Sequence, residues 1–250
     1  SIVDKEILTK YLPYLFFISI FFLLLIPFIG IEVKGSKRWL DLFFLPRFQP
    51  VELVKPLFVI FIAKIIADEN KVGINKRYFF SFLILLVITF FLVNQPDLGQ
   101  TLLLILTWLT IIFVSGFNMI LLIFFGFSFL LVISSLIFFF RDKFGYVFSR
   151  IQTFVDPKAG DNFQSQKALE AISEGGLTGQ GMGEGILKDK VPEAHTDYII
   201  AVISEEFGAI FVLFIVITFL FIGYRVLNKV FSGQEEFIKL VLVGLISLLI

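Results

Sequence analysis

From Tyr11 to Ile29, Tyr78 to Val93, Leu98 to Phe117, Met119 to Phe140 and Tyr198 to Leu227 the sequence is almost wholly apolar. A helix rising 1.5 Å per residue needs about 20 residues to cross the hydrocarbon core of a bilayer, and these runs are of that order. Composition agrees. Of 250 residues, 58% are hydrophobic and only 17% charged, 35 are Phe, and mean hydropathy is +0.94. Soluble domains carry roughly 45–50% apolar and about 25% charged residues, so a soluble enzyme or a nucleic-acid binder is excluded. There is no cysteine, which removes disulfides, thiol nucleophiles and thiolate metal sites. A single histidine, His195, removes any multi-histidine metal centre. The formal net charge of zero gives no global field towards a polyanion. The fold class expected is an all-α polytopic membrane protein, because backbone in lipid must satisfy its own hydrogen bonds.

Two further segments complete the pattern. Gln49–Ala67 contains Glu52, Lys55 and Lys64, yet Pro50 suits a first helical position and Glu52 a first turn, with Pro56 expected to kink the helix. Phe237–Ile250 is apolar but short of a spanning length. Seven membrane segments are thus expected. The chain opens on Ser1 and stops inside an apolar run, so residues 1–250 are expected to be one transmembrane domain fragment with a helix end, or whole helices, outside it.

Short polar connectors lie at 68–77 and 94–97, a turn at Ser115–Gly116, and a longer polar stretch at 30–48. The long loop 141–197 dominates, and loops beyond about 12–15 residues are usually functional or disordered. It holds nine Asp/Glu and seven Lys/Arg. Within it Asp161-Asn162 is placed to cap a short helix carrying Phe163, Leu169 and Ile172 partly on one side, ended by Gly175-Gly176 and suited to a membrane surface. With alternating crossings the side bearing this loop carries eleven Lys/Arg and the other seven. Taken alone, the positive-inside rule would turn the loop to the cytoplasm, unless its cations serve an anionic ligand.

Ionisable groups within membrane segments cost a few kcal/mol each and are functional candidates by default. Glu52 and Lys55, three apart, can pair on one helix face. Alternatively, Lys55 faces a cavity and binds an anion such as phosphate. Gln95-Pro96-Asp97-Leu98-Gly99 reads as a turn in which Asp97 caps the next helix. Gly175–Gly185 has six glycines in eleven residues. It follows no expected strand, so a dinucleotide fingerprint does not fit, and close backbone approach to a ligand or another loop does. Lys188–Asp197 is the densest cluster of functional side chains. There Thr196 or Asp197 can be a simple N-cap, worth about 1 kcal/mol, and His195 a hydrogen-bonded loop residue. At helical spacing Ser204 and Gly208 share the face of Asp197, while Glu206 points away. Glu205 and Glu206, inside an apolar run, should line a cavity or pair with cations.

Taken together these motifs resemble a known family. Lys34-Gly-Ser-Lys-Arg38-Trp39-Leu followed by Phe48-Gln-Pro-Val-Glu52-Leu-Val-Lys55 is similar to its G-A-x-R-W and Q-P-x-E-x-x-K. Gln95-Pro-Asp97-Leu-Gly-Gln100-Thr-Leu resembles its Q-P-D-x-G, and Pro192-Glu-Ala-His195-Thr196-Asp197-Tyr-Ile-Ile-Ala-Val-Ile-Ser-Glu205-Glu206-Phe-Gly its P-E-A-H-T-D-F-I-F-A-V-x-x-E-E-x-G. The family is SEDS (shape, elongation, division and sporulation), and the resemblance runs in order from Lys34 to Gly208. Gly183-Glu-Gly185 with Lys188, and Gln100-Thr101, lean to its FtsW-like, cell-division branch over the RodA-like one. Ser36, Val51 and Tyr198 depart from the usual Ala, Ser or Ala, and Phe.

The resemblance implies a bundle of about ten helices, of which this chain covers the third to part of the ninth, with loop 141–197 outside the cytoplasmic (inner) membrane and the active site on that face. It implies polymerisation of lipid II into glycan strands, with Asp197 as general base. Arg38, Glu52, Lys55, Gln95, Asp97, His195, Thr196 and Glu205 are the implied substrate-binding residues. Positive charge at the leaving pyrophosphate would come from Arg38, Lys55, other loop cations or a divalent metal ion, Mg or Mn, whose ligands stay unknown. No organic cofactor and no nucleic acid are implied. Partners are a class B penicillin-binding protein, other divisome membrane proteins and membrane lipids. Two other readings stand beside it: a flippase or transporter for a lipid-linked cell-wall precursor, and a scaffold.

Overall fold

A computed structural model describes residues 5–33, 36–42, 46–68, 73–95, 97–139, 145, 163–185 and 198–249. Each of the seven apolar segments is helical: α1 (Lys5–Ile29), α2 (Pro50–Ala67), α3 (Ile74–Asn94), α4 (Leu98–Val114), α5 (Met119–Phe139), α7 (Ile199–Phe231) and α8 (Glu236–Leu249). Within the long loop lies α6 (Phe163–Gly175). The chain is an all-α polytopic membrane protein. Two compact units divide it, Ser1–Ile133 with Val226–Ile250, and Ser134–Arg225. The division falls inside α5 and α7 rather than in a linker, and each unit has its own apolar core.

In the first unit, α1 buries Leu12, Phe16, Ser19, Leu23 and Ile26, spaced as one stripe of a 3.6-residue helix. Its outward Phe17, Phe21 and Phe28 are more than half exposed. Apart from Ser19, nothing polar marks the inward face. Position along the helix does, and Phe16 stacks on Phe61 of α2 with centroids 4.4 Å apart. Helix α1 packs on α2, α3 on α4, and α8 on both α2 and α4. The shared core joins Phe58, Ile62, Leu85, Ile88, Leu104, Trp108 and Leu240. Of its few polar groups, Trp108 Nε1 donates to Ser81 Oγ (3.2 Å) and Thr89 Oγ1 back-bonds to Leu85 O (2.9 Å), while Thr107 Oγ1 has no partner among the described residues.

By length and composition Lys10–Ile29, Ile74–Asn94 and Ile199–Phe231 can cross a membrane, while Leu98–Val114 and Met119–Val132 are shorter apolar helices. Helix α2 is 18 residues long but carries Glu52, Lys55 and Lys64. It runs unbroken through Pro56, whose missing N–H removes one i to i−4 bond near the start.

Two features go beyond the sequence expectation. The polar stretch after α1 folds back as an antiparallel hairpin, β1 (Ile31–Val33) with β2 (Ser36–Trp39), continued by a bridge between Leu40 and Phe48. The second departure is a break in α7 at Gly208, where φ is 79° and ψ 174°. Helical spacing therefore does not carry from Ser204 through Gly208, because the chain turns at that residue.

Candidate active site

In the first unit, local rules place the polar residues. Pro50 starts α2 with its fixed φ and no N–H to leave unpaired, so Gln49 stands at the cap with its side chain free of capping duty. Asp97 caps α4, accepting from Gln100 N at 3.4 Å. The hairpin carries Arg38 towards the turn that joins α3 to α4, where its Nε donates to Gln95 O (3.3 Å) and lies 3.7 Å from Asp97 Oδ2.

Two further bonds tie the starts of α2 and α4 side by side. Gln49 Nε2 donates to Asp97 Oδ2 (3.3 Å), and Gln100 Nε2 donates to Glu52 Oε1 (3.4 Å). Both span 48 residues, so the two helix starts run in matched register. Each rung joins an amide to a carboxylate, with the polarity reversed between rungs. Lys55 closes the group with its Nζ 2.9 Å from the Glu52 carboxylate. The structure thus brings Arg38, Glu52, Lys55, Gln95 and Asp97 into one network. It adds Gln49 and Gln100, which the sequence showed as motif residues without assigning them to the site.

Burial differs sharply across the network. The Lys55 side chain is 14% exposed and Glu52 53%, so pairing, not isolation in a cavity, is what the structure shows for Lys55. Asp97 is buried, and burial pushes its carboxyl pKa above the ordinary 3.8. Arg38, the Gln100 amide and Lys55 pull the other way without overcoming that desolvation, and Glu52 adds to the rise. Gln95 is buried too, with Nε2 lacking a hydrogen-bond partner among the described residues. Such an orphan donor costs about 1–3 kcal/mol.

The second unit holds Glu205, fully buried. A Cβ on Gly185 would lie 2.9 Å from its Cδ, so the end of the glycine-rich segment lies directly against the carboxylate. Helix α6 ends where expected, with Gly176 at φ 54°. Leu169 and Ile172 are exposed on α6. The Asp161-Asn162 cap, Lys188, His195, Thr196 and Asp197 lie outside the described residues. Among the described residues no group of three or more His, Asp or Glu is placed to hold a metal ion.

The comparisons with known proteins follow this geometry. Residues 1–250 match the family model of the cell cycle protein family that joins FtsW, RodA and SpoVE. The chain belongs to this family. It is 33% identical over 223 residues to the probable peptidoglycan glycosyltransferase FtsW of Caulobacter vibrioides (strain NA1000 / CB15N), covering 89% of this chain and 56% of that relative. With the corresponding FtsW of Haemophilus influenzae (strain ATCC 51907 / DSM 11121 / KW20 / Rd) it shares 34% over 230 residues, again 89% and 56%. The chain therefore spans little more than half the length of these relatives. Among solved structures, a chain from work on the structural coordination of polymerization and crosslinking by a peptidoglycan synthase complex has a TM-score of 0.71 at 21% identity, covering 99% of this chain and 69% of that one. The rod shape determining protein RodA of Thermus thermophilus gives 0.64 at 22%, covering 99% and 65%. At those identities the likeness establishes the fold, that of the FtsW/RodA/SpoVE helical bundle.

Proposed function

We propose that this chain is the greater part of a peptidoglycan glycosyltransferase of the cell-division type, which polymerises lipid II into glycan strands during septal cell-wall synthesis. The observation that carries the reading is the convergence of Arg38, of Gln49 to Lys55 and of Gln95 to Gln100 into one bonded network in a chain of this family. Motifs separate in sequence thus meet in one network of charged and amide side chains.

The reaction joins an acceptor hydroxyl oxygen to the donor's anomeric carbon while the bond from that carbon to the lipid pyrophosphate breaks. Asp197 takes the hydroxyl proton as general base. The charge on the departing pyrophosphate is met by Arg38 and Lys55. An arginine carries five N–H donors and a lysine three, so neither need abandon its carboxylate to bind an anion. Glu52, Gln95, Asp97, His195, Thr196 and Glu205 orient the sugars and the cations. A divalent ion, Mg or Mn, would serve as a counter-ion arriving with the pyrophosphate. Loop 141–197 and the site face the outside of the cytoplasmic membrane. The neighbouring synthase-complex fold supports a class B penicillin-binding protein as partner, among other divisome membrane proteins.

One observation favours a second reading. A discontinuous helix, as α7 is at Gly208, is what transporters use at their binding sites, which keeps a lipid-linked-precursor flippase in view. The deciding experiment is lipid II polymerisation by the full-length protein and its Asp197→Asn variant, with partner and divalent ion supplied. Polymer from the wild type and loss of about a hundredfold or more in a folded variant is the expected result. Equal polymer from both would reduce Asp197 to a helix cap. Absence of polymer from both, with lipid II transport intact, would favour the flippase.

A further inference from the structure

The glycine-rich segment has no role in the chemistry above, yet four of its main-chain groups bond to α7. In an unbroken helix Ala209 N–H would donate to Glu205 O, and Ile210 N–H to Glu206 O. Here the turn at Gly208 separates both pairs. Glu205 O accepts from Gln180 N (2.9 Å) and Glu206 O from Gly181 N (3.0 Å). Ala209 N donates to Gly176 O (2.9 Å) and Ile210 N to Leu177 O (3.2 Å). Two lost helical bonds are replaced by four bonds to one loop.

Space at the joint admits no side chain. A Cβ on Gly179 would stand 2.2 Å from Glu206 O, and one on Gly208 2.3 Å from Leu177 O, backbone in both cases. The Gly208 φ and ψ also fall in a region that is essentially glycine-only. Side chains of the loop itself take no part: Leu177 is 72% exposed.

We propose that Gly175–Gly181 is a backbone splint that holds α7 broken at Gly208, and that Gly179 and Gly208 are thereby positioning residues for the half-helix Ile199–Phe207. That half-helix begins two residues after Asp197 in sequence and buries Glu205, so its direction sets where the Glu205 carboxylate stands. The claim that positioning matters to turnover rests on the glycosyltransferase reading. The splint itself does not.

The test uses the full-length protein in lipid nanodiscs, measuring amide hydrogen exchange together with lipid II polymerisation. In the wild type the amides of Gln180, Gly181, Ala209 and Ile210 are protected. In Gly208→Ala the helix re-forms its own bonds, so Ala209 and Ile210 stay protected. Gln180 and Gly181 then exchange at least tenfold faster, and kcat falls about a hundredfold with KM within twofold. Gly179→Ala attacks the same joint from the loop and gives the same opening of Gln180 and Gly181. It decides the matter should Gly208→Ala not fold. Thr178→Ala matches the wild type on every readout. Unprotected Gln180 and Gly181 in the wild type would overturn the splint. Wild-type kcat in a variant with both amides opened would overturn the positioning role. A wild type that makes no polymer with its partner present would instead sink the glycosyltransferase reading, leaving exchange to decide the splint.

Discussion

Asp97 shows how one residue can serve two masters. It caps α4 through the Gln100 amide and faces Arg38 and Gln49, all while buried. Because burial raises its folded pKa above 3.8, the folded state holds the proton more tightly than the unfolded chain does. Its contribution to stability is therefore complete below pH 3.8 and is lost as pH rises through the raised value. Asp97→Asn keeps a side-chain oxygen for the cap and cannot titrate. Apparent Tm in detergent, followed from below pH 3.8 upward, should thus fall in the wild type relative to the variant across that window. Parallel curves would show that another group titrates there. Asp97→Asn should also lower polymerisation by removing the charge beside Arg38, with fold and cap retained. The cap was legible from sequence, since an Asp directly before an apolar run is placed to accept from the first-turn amides. The crossed bonds of Gln49 and Gln100 were not, because register between α2 and α4 is a tertiary fact.

At the scale of elements, apolar run length sufficed to locate the membrane helices, since lipid leaves the backbone no alternative. Short polar segments offered no such constraint. The β1–β2 hairpin went unseen, having too few residues to show an alternating pattern, although it is what delivers Arg38 to Asp97. The break in α7 was equally hidden. Its sequence reads as a continuous apolar helix; glycine admits φ of 79° at Gly208 unaided, and bonds from a loop some thirty residues earlier take the place of the helical bonds lost there. Glycine in α8 makes an opposite case, where small size permits close helix packing. A Cβ on Gly244 would lie 2.5 Å from Val59 Cγ1 and 2.8 Å from Ile111 Cδ1, at the meeting of α8 with α2 and α4. Gly244→Ile should therefore destabilise by about 1–3 kcal/mol through overpacking. A lower apparent Tm in nanodiscs, partly recovered by Val59→Ala, is the expected outcome. An unchanged Tm would mean that α8 is free to move off its neighbours.

The whole molecule inverts the usual relation between exposure and polarity. On α3, Leu92 is fully buried while Phe90, two residues earlier, is 64% exposed, and both belong to one apolar run. Composition could assign the run to a membrane but could not say which face meets protein, because lipid tails and a protein core are equally apolar. Only packing distinguishes them. Leu92→Ala should leave a cavity among its neighbours and cost about 2–5 kcal/mol. Phe90→Ala loses only contacts that lipid can replace and should lie within about 0.5 kcal/mol of wild type, as surface substitutions do. A charge reverses that tolerance: Phe90→Asp puts an unpaired carboxylate against hydrocarbon one turn from the end of α3, at a cost below the about 2.5–3.5 kcal/mol of a helix centre. Reversible unfolding from bilayers, measured on all three variants, separates the two faces. The order expected is little effect for Phe90→Ala and marked losses for Leu92→Ala and Phe90→Asp. A large loss in Phe90→Ala would mean that the exposed Phe face of α3 is covered by protein, whether by helices outside this chain or by a partner, rather than by lipid.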